Sequence, residues 1–197
     1  ILISLKKKIL IFDLDGVLID SKQNMKLAWS AVQDKHLLTH IMFSKYFNHI
    51  GRPFVTILKK LKINKNHKKI KQTYESESKN YRKEIKFYKD VIETLVKLKK
   101  NNYKLNIVTS KDKIRTKIFL DKKINLFEHI ECDDKKTKGK PHPHKINKII
   151  KKLKARKEEC VYIGDTHVDY LSAKNSKIDF IFAQWGYGKN YNYKYKS

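Results

Sequence analysis

Ile9-Leu10-Ile11-Phe12 is an unbroken apolar run that ends at Asp13. A run this short, with no polar position, predicts a strand buried on both faces of a parallel sheet. Leu105-Asn106-Ile107-Val108, Cys160-Val161-Tyr162-Ile163 and Phe180-Ile181-Phe182 read the same way. Between them the apolar positions take helical spacing. Val91, Leu95 and Leu98 share one face, as do Ile146, Ile149, Ile150 and Leu153 after Pro143, a residue suited to a helix first turn. Strands alternating with helices predict an α/β protein with a doubly wound parallel sheet.

Residues 21–86 break the alternation. Their apolar spacing is helical only: Met25, Ala28, Trp29 and Val32, then Ile41, Tyr46, Phe47 and Ile50, then Phe54, Ile57, Leu58 and Leu61. Ser21 stands where a helix N-cap is expected. The chain therefore divides into an α/β core, residues 1–20 and 87–197, and an all-helical insert, residues 21–86. An insert at this point lies beside the carboxyl ends of the strands, where open α/β sheets bind ligands. From there it can act as a lid.

The formal net charge of +26 raises the question of a polyanion partner. Only Arg52, Arg82, Arg115 and Arg156 supply guanidinium groups, and the lysines are spread along the chain with Ile and Asn. A nucleic-acid surface favours Arg for bidentate contacts, so the charge reads as a solvated, compositionally biased surface with no specific nucleic-acid partner. Cys132 and Cys160 lack metal spacing and read as reduced thiols of a cytoplasmic protein. No signal-peptide pattern and no apolar run of membrane-spanning length is expected to matter here.

The acidic residues change the picture most. Asp13-Leu14-Asp15-Gly16 follows the first strand directly. Carboxylates at i and i+2 point the same way, and Gly16 permits a tight turn. One carboxylate can attack phosphorus while the other moves a proton, and both suit Mg2+. Gly164-Asp165-Thr166-His167-Val168-Asp169 follows another apolar strand and adds two more carboxylates. Carboxylates converging at strand ends repel one another unless a cation is bound. Thr109-Ser110, at the end of a strand from Lys104 to Val108, offers hydroxyls and N–H groups to a phosphate. Lys140, in Lys138-Gly139-Lys140-Pro141, offers a positive charge.

In this order and spacing, these four segments resemble the haloacid dehalogenase (HAD)-like hydrolase superfamily over nearly the whole chain. Asp13-Leu14-Asp15-Gly16-Val17-Leu18, Thr109, Lys140 in Gly139-Lys140-Pro141-His142-Pro143, and Gly164-Asp165 with Asp169 match its four motifs. The chain looks most like the phosphoglycolate phosphatase and β-phosphoglucomutase group, which carries a helical cap after the first motif. Ile50-Gly51-Arg52-Pro53 resembles that group's cap loop, and Trp185-Gly186-Tyr187-Gly188 a segment that often follows its last core strand. Ser110 stands where Asn is common, His144 where an acidic residue often follows, and Asn175-Ser176 replaces a small pair. These departures spare the catalytic groups and bear on the substrate.

The resemblance implies a HAD-like, Rossmann-type core with an inserted cap, and a Mg2+-dependent phosphatase. Asp13 would be the nucleophile and Asp15 the general acid and base. Asp13, the Asp15 carbonyl and Asp165 would hold the metal, with Asp169 orienting that site. Thr109, Ser110 and Lys140 would bind the phosphoryl group, and Arg52 would contact substrate from the cap. The expected partner is a small phosphorylated metabolite, such as phosphoglycolate or a sugar phosphate, and not a membrane. A phosphomutase of the β-phosphoglucomutase type is the alternative, and a non-catalytic basic polyanion-binding protein on the same fold a second. His142 and His144 have no companion ligand for zinc, His167 falls near the site, and Tyr187 to Ser197 reads as a surface terminus.

Overall fold

The computed structural model describes residues 7–134 and 137–189. Five parallel strands make the central sheet: β1 (Ile9–Phe12), β4 (Lys104–Asp112), β5 (His129–Asp133), β6 (Cys160–Gly164) and β7 (Asp179–Phe182), in the order β5-β4-β1-β6-β7. β1 lies at the centre, with Ile9 opposite Lys104 on one side and Cys160 on the other. All four of its residues are buried. Leu10 and Phe12 face a cluster with Leu95, Leu105, Ile107 and Leu120. Ile9 and Ile11 face the opposite cluster with Ile146, Ile149, Tyr162 and Ala173. Fully burying one such aliphatic side chain is worth about 1.5–3 kcal/mol.

The helices α5 (Val91–Lys100), α6 (Lys113–Leu120), α7 (His144–Lys152) and α8 (His167–Ser176) cover the two faces. The short strands β2 (Ile19–Asp20) and β3 (Lys86–Phe87) pair antiparallel at the two ends of the insert. Between them run α1 (Lys22–His36), α2 (Phe43–Phe47), α3 (Phe54–Lys60) and α4 (His67–Asn80). These four helices bury a cluster of their own around Trp29, Tyr46, Phe54, Leu58 and Tyr74. Trp29 stacks on Tyr46 at 4.5 Å, and its indole N–H donates to the Ile41 carbonyl at 2.9 Å.

Three details differ from the sequence reading. β5 is not predicted, because His129–Asp133 has no apolar run, while α4 falls within the insert predicted to be helical although only a thin apolar stripe marks it. β4 continues through Thr109 and Ser110 to Asp112, after an irregularity in its pairing with β5. Ser21 precedes α1, but its side chain caps nothing. Its hydroxyl donates to a carboxylate oxygen of Asp15 at 2.5 Å instead, a charge-assisted bond stronger than one to a backbone amide.

Candidate active site

The carboxyl ends of β1, β4 and β6 lie side by side, and the chemistry-bearing residues emerge there. Asp13 continues from β1; its N–H donates to the Ile163 carbonyl at 2.8 Å. Gly16 then turns the chain with φ +87°, and a Cβ at that position would lie 2.2 Å from Asp165 Oδ2. Only glycine allows this close approach of the two acidic loops.

β6 ends at Gly164, and Asp165 follows, fully buried. The next turn starts α8 with a capping box. Thr166 N–H and Oγ1 donate to Asp169 Oδ2 at 3.0 and 2.6 Å, and Asp169 N–H donates back to Thr166 Oγ1 at 3.3 Å. Asp169 Oδ1 accepts from Lys140 Nζ at 2.7 Å and from Tyr162 Oη at 3.1 Å. Both oxygens of Asp169 are thus satisfied by the protein.

Lys140 is the only cation recorded in contact with this buried cluster among the described residues. Its Nζ lies 2.8 Å from Asp13 Oδ1 as well as 2.7 Å from Asp169 Oδ1. Burial acts to lower the Lys140 ammonium, but Asp13 and Asp169 outweigh it and hold the group above its ordinary value. One ammonium shared by two carboxylates, with a third beside them, does not offset the burial. Burial, with Asp169 and Asp15 adding to it, pushes Asp13 from 3.8 up to about 7 against the pull of Lys140. Burial followed by the charges of Asp169 and Asp13 drives Asp165 well above the carboxylate range.

These features fit a divalent cation. Oxygens of Asp13, Asp165 and Asp169 lie within 4.8 Å of one another. Asp165 Oδ1 is buried without a hydrogen-bond partner, which is costly for a carboxylate unless a cation meets it. An all-oxygen donor set is the kind Mg2+ takes.

Asp15 sits differently. It is partly exposed, and Oδ1 is held by Ser21 Oγ and by Lys111 Nζ at 2.9 Å. Asp13 and Asp15 line a cavity of about 60 Å³, together with Thr109, Ser110, Thr166 and Arg52. The insert supplies its roof, including Tyr46, Phe54 and Tyr74. Thr109 is buried and accepts the Lys111 N–H at 3.1 Å. The Ser110 hydroxyl donates to the Gly51 carbonyl at 2.7 Å and so ties β4 to the cap loop. Arg52 lies in that loop, half-buried, and burial lowers its guanidinium.

Six residues singled out in the sequence (Asp13, Asp15, Thr109, Lys140, Asp165 and Asp169) thus converge, and Ser110 and Arg52 line the same cavity. His167 does not join them: it is exposed and packs on Tyr170. His142 and His144 contact each other before α7, where His142 Nδ1 accepts the His144 N–H at 3.3 Å. Sequence reading missed Lys111 and Arg115. Arg115 is held by Asp112 and lies over the Tyr74 ring at 5.5 Å. It also missed Tyr187, read as part of a surface terminus. Tyr187 N–H donates to Asp165 Oδ2 at 2.7 Å, so this residue belongs to the wall of the site. The backbone can reach Asp165 because Gly186 and Gly188 flank it. The rest of that stretch, residues 190–197, lies outside the described residues.

The family model for haloacid dehalogenase-like hydrolases matches residues 10–183. A phosphoglycolate phosphatase from Colwellia psychrerythraea is 30% identical over 92% of this chain and 86% of its own length. A pyrophosphatase PpaX from Bacillus mycoides is 26% identical over 92% of this chain and 85% of its own. Among solved structures, a hydrolase from Pseudomonas syringae superposes with a TM-score of 0.82 at 25% identity, over 94% of this chain and 88% of that one.

Proposed function

The chain belongs to the haloacid dehalogenase-like hydrolase family, and on that premise we propose that it is a Mg2+-dependent phosphatase of small phosphorylated substrates, with Asp13 as nucleophile. The observation that carries this reading is the position of Asp13. It is 3% exposed, directly follows the central strand, touches Lys140 at 2.8 Å and lines the same cavity as Asp15 and Thr109.

In this mechanism an Asp13 oxygen attacks phosphorus, and the bond to the leaving oxygen breaks as Asp15 gives that oxygen a proton. An aspartyl-phosphate forms. Asp15 then takes a proton from water as the water attacks phosphorus, releasing phosphate and restoring Asp13. Thr109, Ser110 and Lys140 orient the phosphoryl oxygens and offset their charge. Asp13, Asp165 and the Asp15 carbonyl would hold Mg2+, with Asp169 fixing Lys140 and the α8 turn beside them. A bound Mg2+ supplies charge neutralisation at the carboxylates and the phosphoryl group.

The helices between residues 21 and 86 serve as a cap, and Arg52 reaches the substrate from it. Phosphoglycolate or pyrophosphate fits this reading better than a hexose phosphate, and hydrolysis better than a sugar phosphomutase. The relatives named for those two small substrates point the same way.

The test is phosphate release from a panel containing phosphoglycolate, pyrophosphate and sugar phosphates, with and without Mg2+, in wild type and Asp13→Asn. Release that requires Mg2+ and disappears in the variant is expected. Release that survives the substitution refutes the assignment of the nucleophile.

A further inference from the structure

The segment after β7 crosses the mouth of the site. Ala183 N–H donates to the Gly164 carbonyl at 2.9 Å, and Gly186 then passes so close that a Cβ there would lie 2.2 Å from Asp165 Cβ and 2.6 Å from the Gly16 carbonyl. Tyr187 follows. Its N–H holds Asp165 Oδ2, and its side chain runs on towards the strand that follows the Asp15 loop. There the phenol oxygen accepts the Ser21 N–H at 2.6 Å and donates to Asp20 Oδ1 at 2.9 Å. Ser21 is fully buried, so water offers its N–H no substitute. The Ser21 hydroxyl donates in turn to Asp15 Oδ1. Phe47 of the cap packs against the Tyr187 ring, with centroids 5.2 Å apart. One residue therefore grips Asp165 through its main chain and Asp15 through a single intermediary.

We infer that Tyr187 is a positioning residue for proton transfer: its hydroxyl fixes Ser21, and Ser21 fixes the Asp15 carboxylate in the orientation that meets the leaving oxygen. The inference rests on the phosphatase reading and adds to it a role for a residue outside the four motifs. Lys111 grips the same Asp15 oxygen at 2.9 Å, but an ammonium on a flexible stem attracts from many directions. The hydroxyl of a buried Ser21 sets one direction.

Tyr187→Phe removes the hydroxyl and keeps the ring, the main-chain N–H and both flanking glycines. Two substrates separate a positioning role from a structural one. An alkyl phosphate needs its leaving oxygen protonated; p-nitrophenyl phosphate has a leaving group stable as an anion. The variant is expected to lose about tenfold or more in kcat/KM, which reports aspartyl-phosphate formation, on the alkyl ester, and little on the aryl ester; hydrolysis of the aspartyl-phosphate is common to both. Ser21→Ala should show the same split, and the double variant should be no worse than the worse single one. Equal loss of kcat/KM on both esters, or additive loss in the double variant, overturns the inference. Amide hydrogen exchange at Ser21 gives a readout independent of turnover. It should accelerate in Tyr187→Phe, and unchanged exchange also overturns the inference. A wild type that releases no phosphate from any ester instead overturns the phosphatase reading on which this rests, an outcome distinct from an active enzyme with unsplit losses.

Discussion

Lys140→Met is the most searching perturbation of the acidic cluster. Methionine fills similar space and removes only the ammonium. In the wild type that ammonium touches Asp13 at 2.8 Å and Asp169 at 2.7 Å, with all three side chains nearly or fully buried. Removing one partner of a buried ion pair leaves an uncompensated charge and costs about 3–5 kcal/mol. For a chain of this length each kcal/mol moves Tm by about 2–4 °C, so a drop of roughly 6–20 °C is expected. The drop should depend on pH. Burial pushes Asp13 up to about 7 even against the pull of Lys140, and the variant lacks that pull, so at pH 5.5 the carboxyl is protonated and much of the lost compensation no longer matters. At pH 8 the wild type holds Asp13 ionised beside the ammonium, whereas the variant must bury the bare carboxylate or take up a proton to fold, so the destabilisation is larger. Thermal unfolding followed by circular dichroism at both pH values, without Mg2+, measures the difference. A fall of less than about 1 kcal/mol at pH 8 would refute the view that Lys140 compensates this cluster.

Three further outcomes follow from the same geometry. Folded Asp13 binds its proton more tightly than the unfolded carboxyl, so its contribution to stability is present below about pH 4 and lost as pH rises through about 7. A shift from 3.8 to about 7 corresponds to a loss of order 4 kcal/mol; unfolding titrations should fall more steeply over that range in wild type than in Asp13→Asn, and Mg2+ should raise Tm more at pH 8 than at pH 5. Arg52→Ala should raise KM about tenfold with kcat nearly kept, as expected for a lost charged contact, and steady-state kinetics giving an unchanged KM would remove Arg52 from the substrate site. Gly186→Ala forces a methyl group to within 2.2 Å of Asp165 Cβ, and a lowered urea midpoint should report about 1–3 kcal/mol of destabilisation.

The parts of this protein that the sequence disclosed are those where burial is complete. β1 and β6 are buried at every position, so their apolar runs stand out, and the acidic motifs that follow them are thereby placed at strand ends. β5 is an edge strand with the sequence His-Ile-Glu-Cys-Asp and only Glu131 fully buried, so no pattern of period two marks it. α4 buries only Ile70, Tyr74 and Ser78, a stripe one residue wide in a lysine-rich surround. The same lysine excess hid Lys111, whose contact with Asp15 depends on β4 continuing beyond Val108. Tyr187 escaped for another reason: its partners Ser21 and Asp165 lie 166 and 22 residues away, and no local spacing encodes that meeting.

The pairing of β1 also sets an order of events during synthesis. Ile9 is among the earliest described residues, yet its neighbours in the sheet are Lys104 and Cys160. The buried residues of the insert's cluster all lie between Met25 and Tyr74, with Tyr187 the one residue from outside the insert packed against it among the described residues. On the ribosome, the chain completes α4 at Asn80 while the central strand still lacks both partners. At about 5–20 residues per second, the 83 residues from Asn80 to Ile163 take roughly 4–17 s. Through that interval Ile9–Phe12 is an apolar segment with open hydrogen-bonding edges, close to its neighbours on a polysome. Lys7 and Lys8 before it, and Asp13 and Asp15 after it, then act as charged gatekeepers against premature association. The two carboxylates proposed as the catalytic pair thus put negative charge at the end of this apolar segment before there is any substrate to meet.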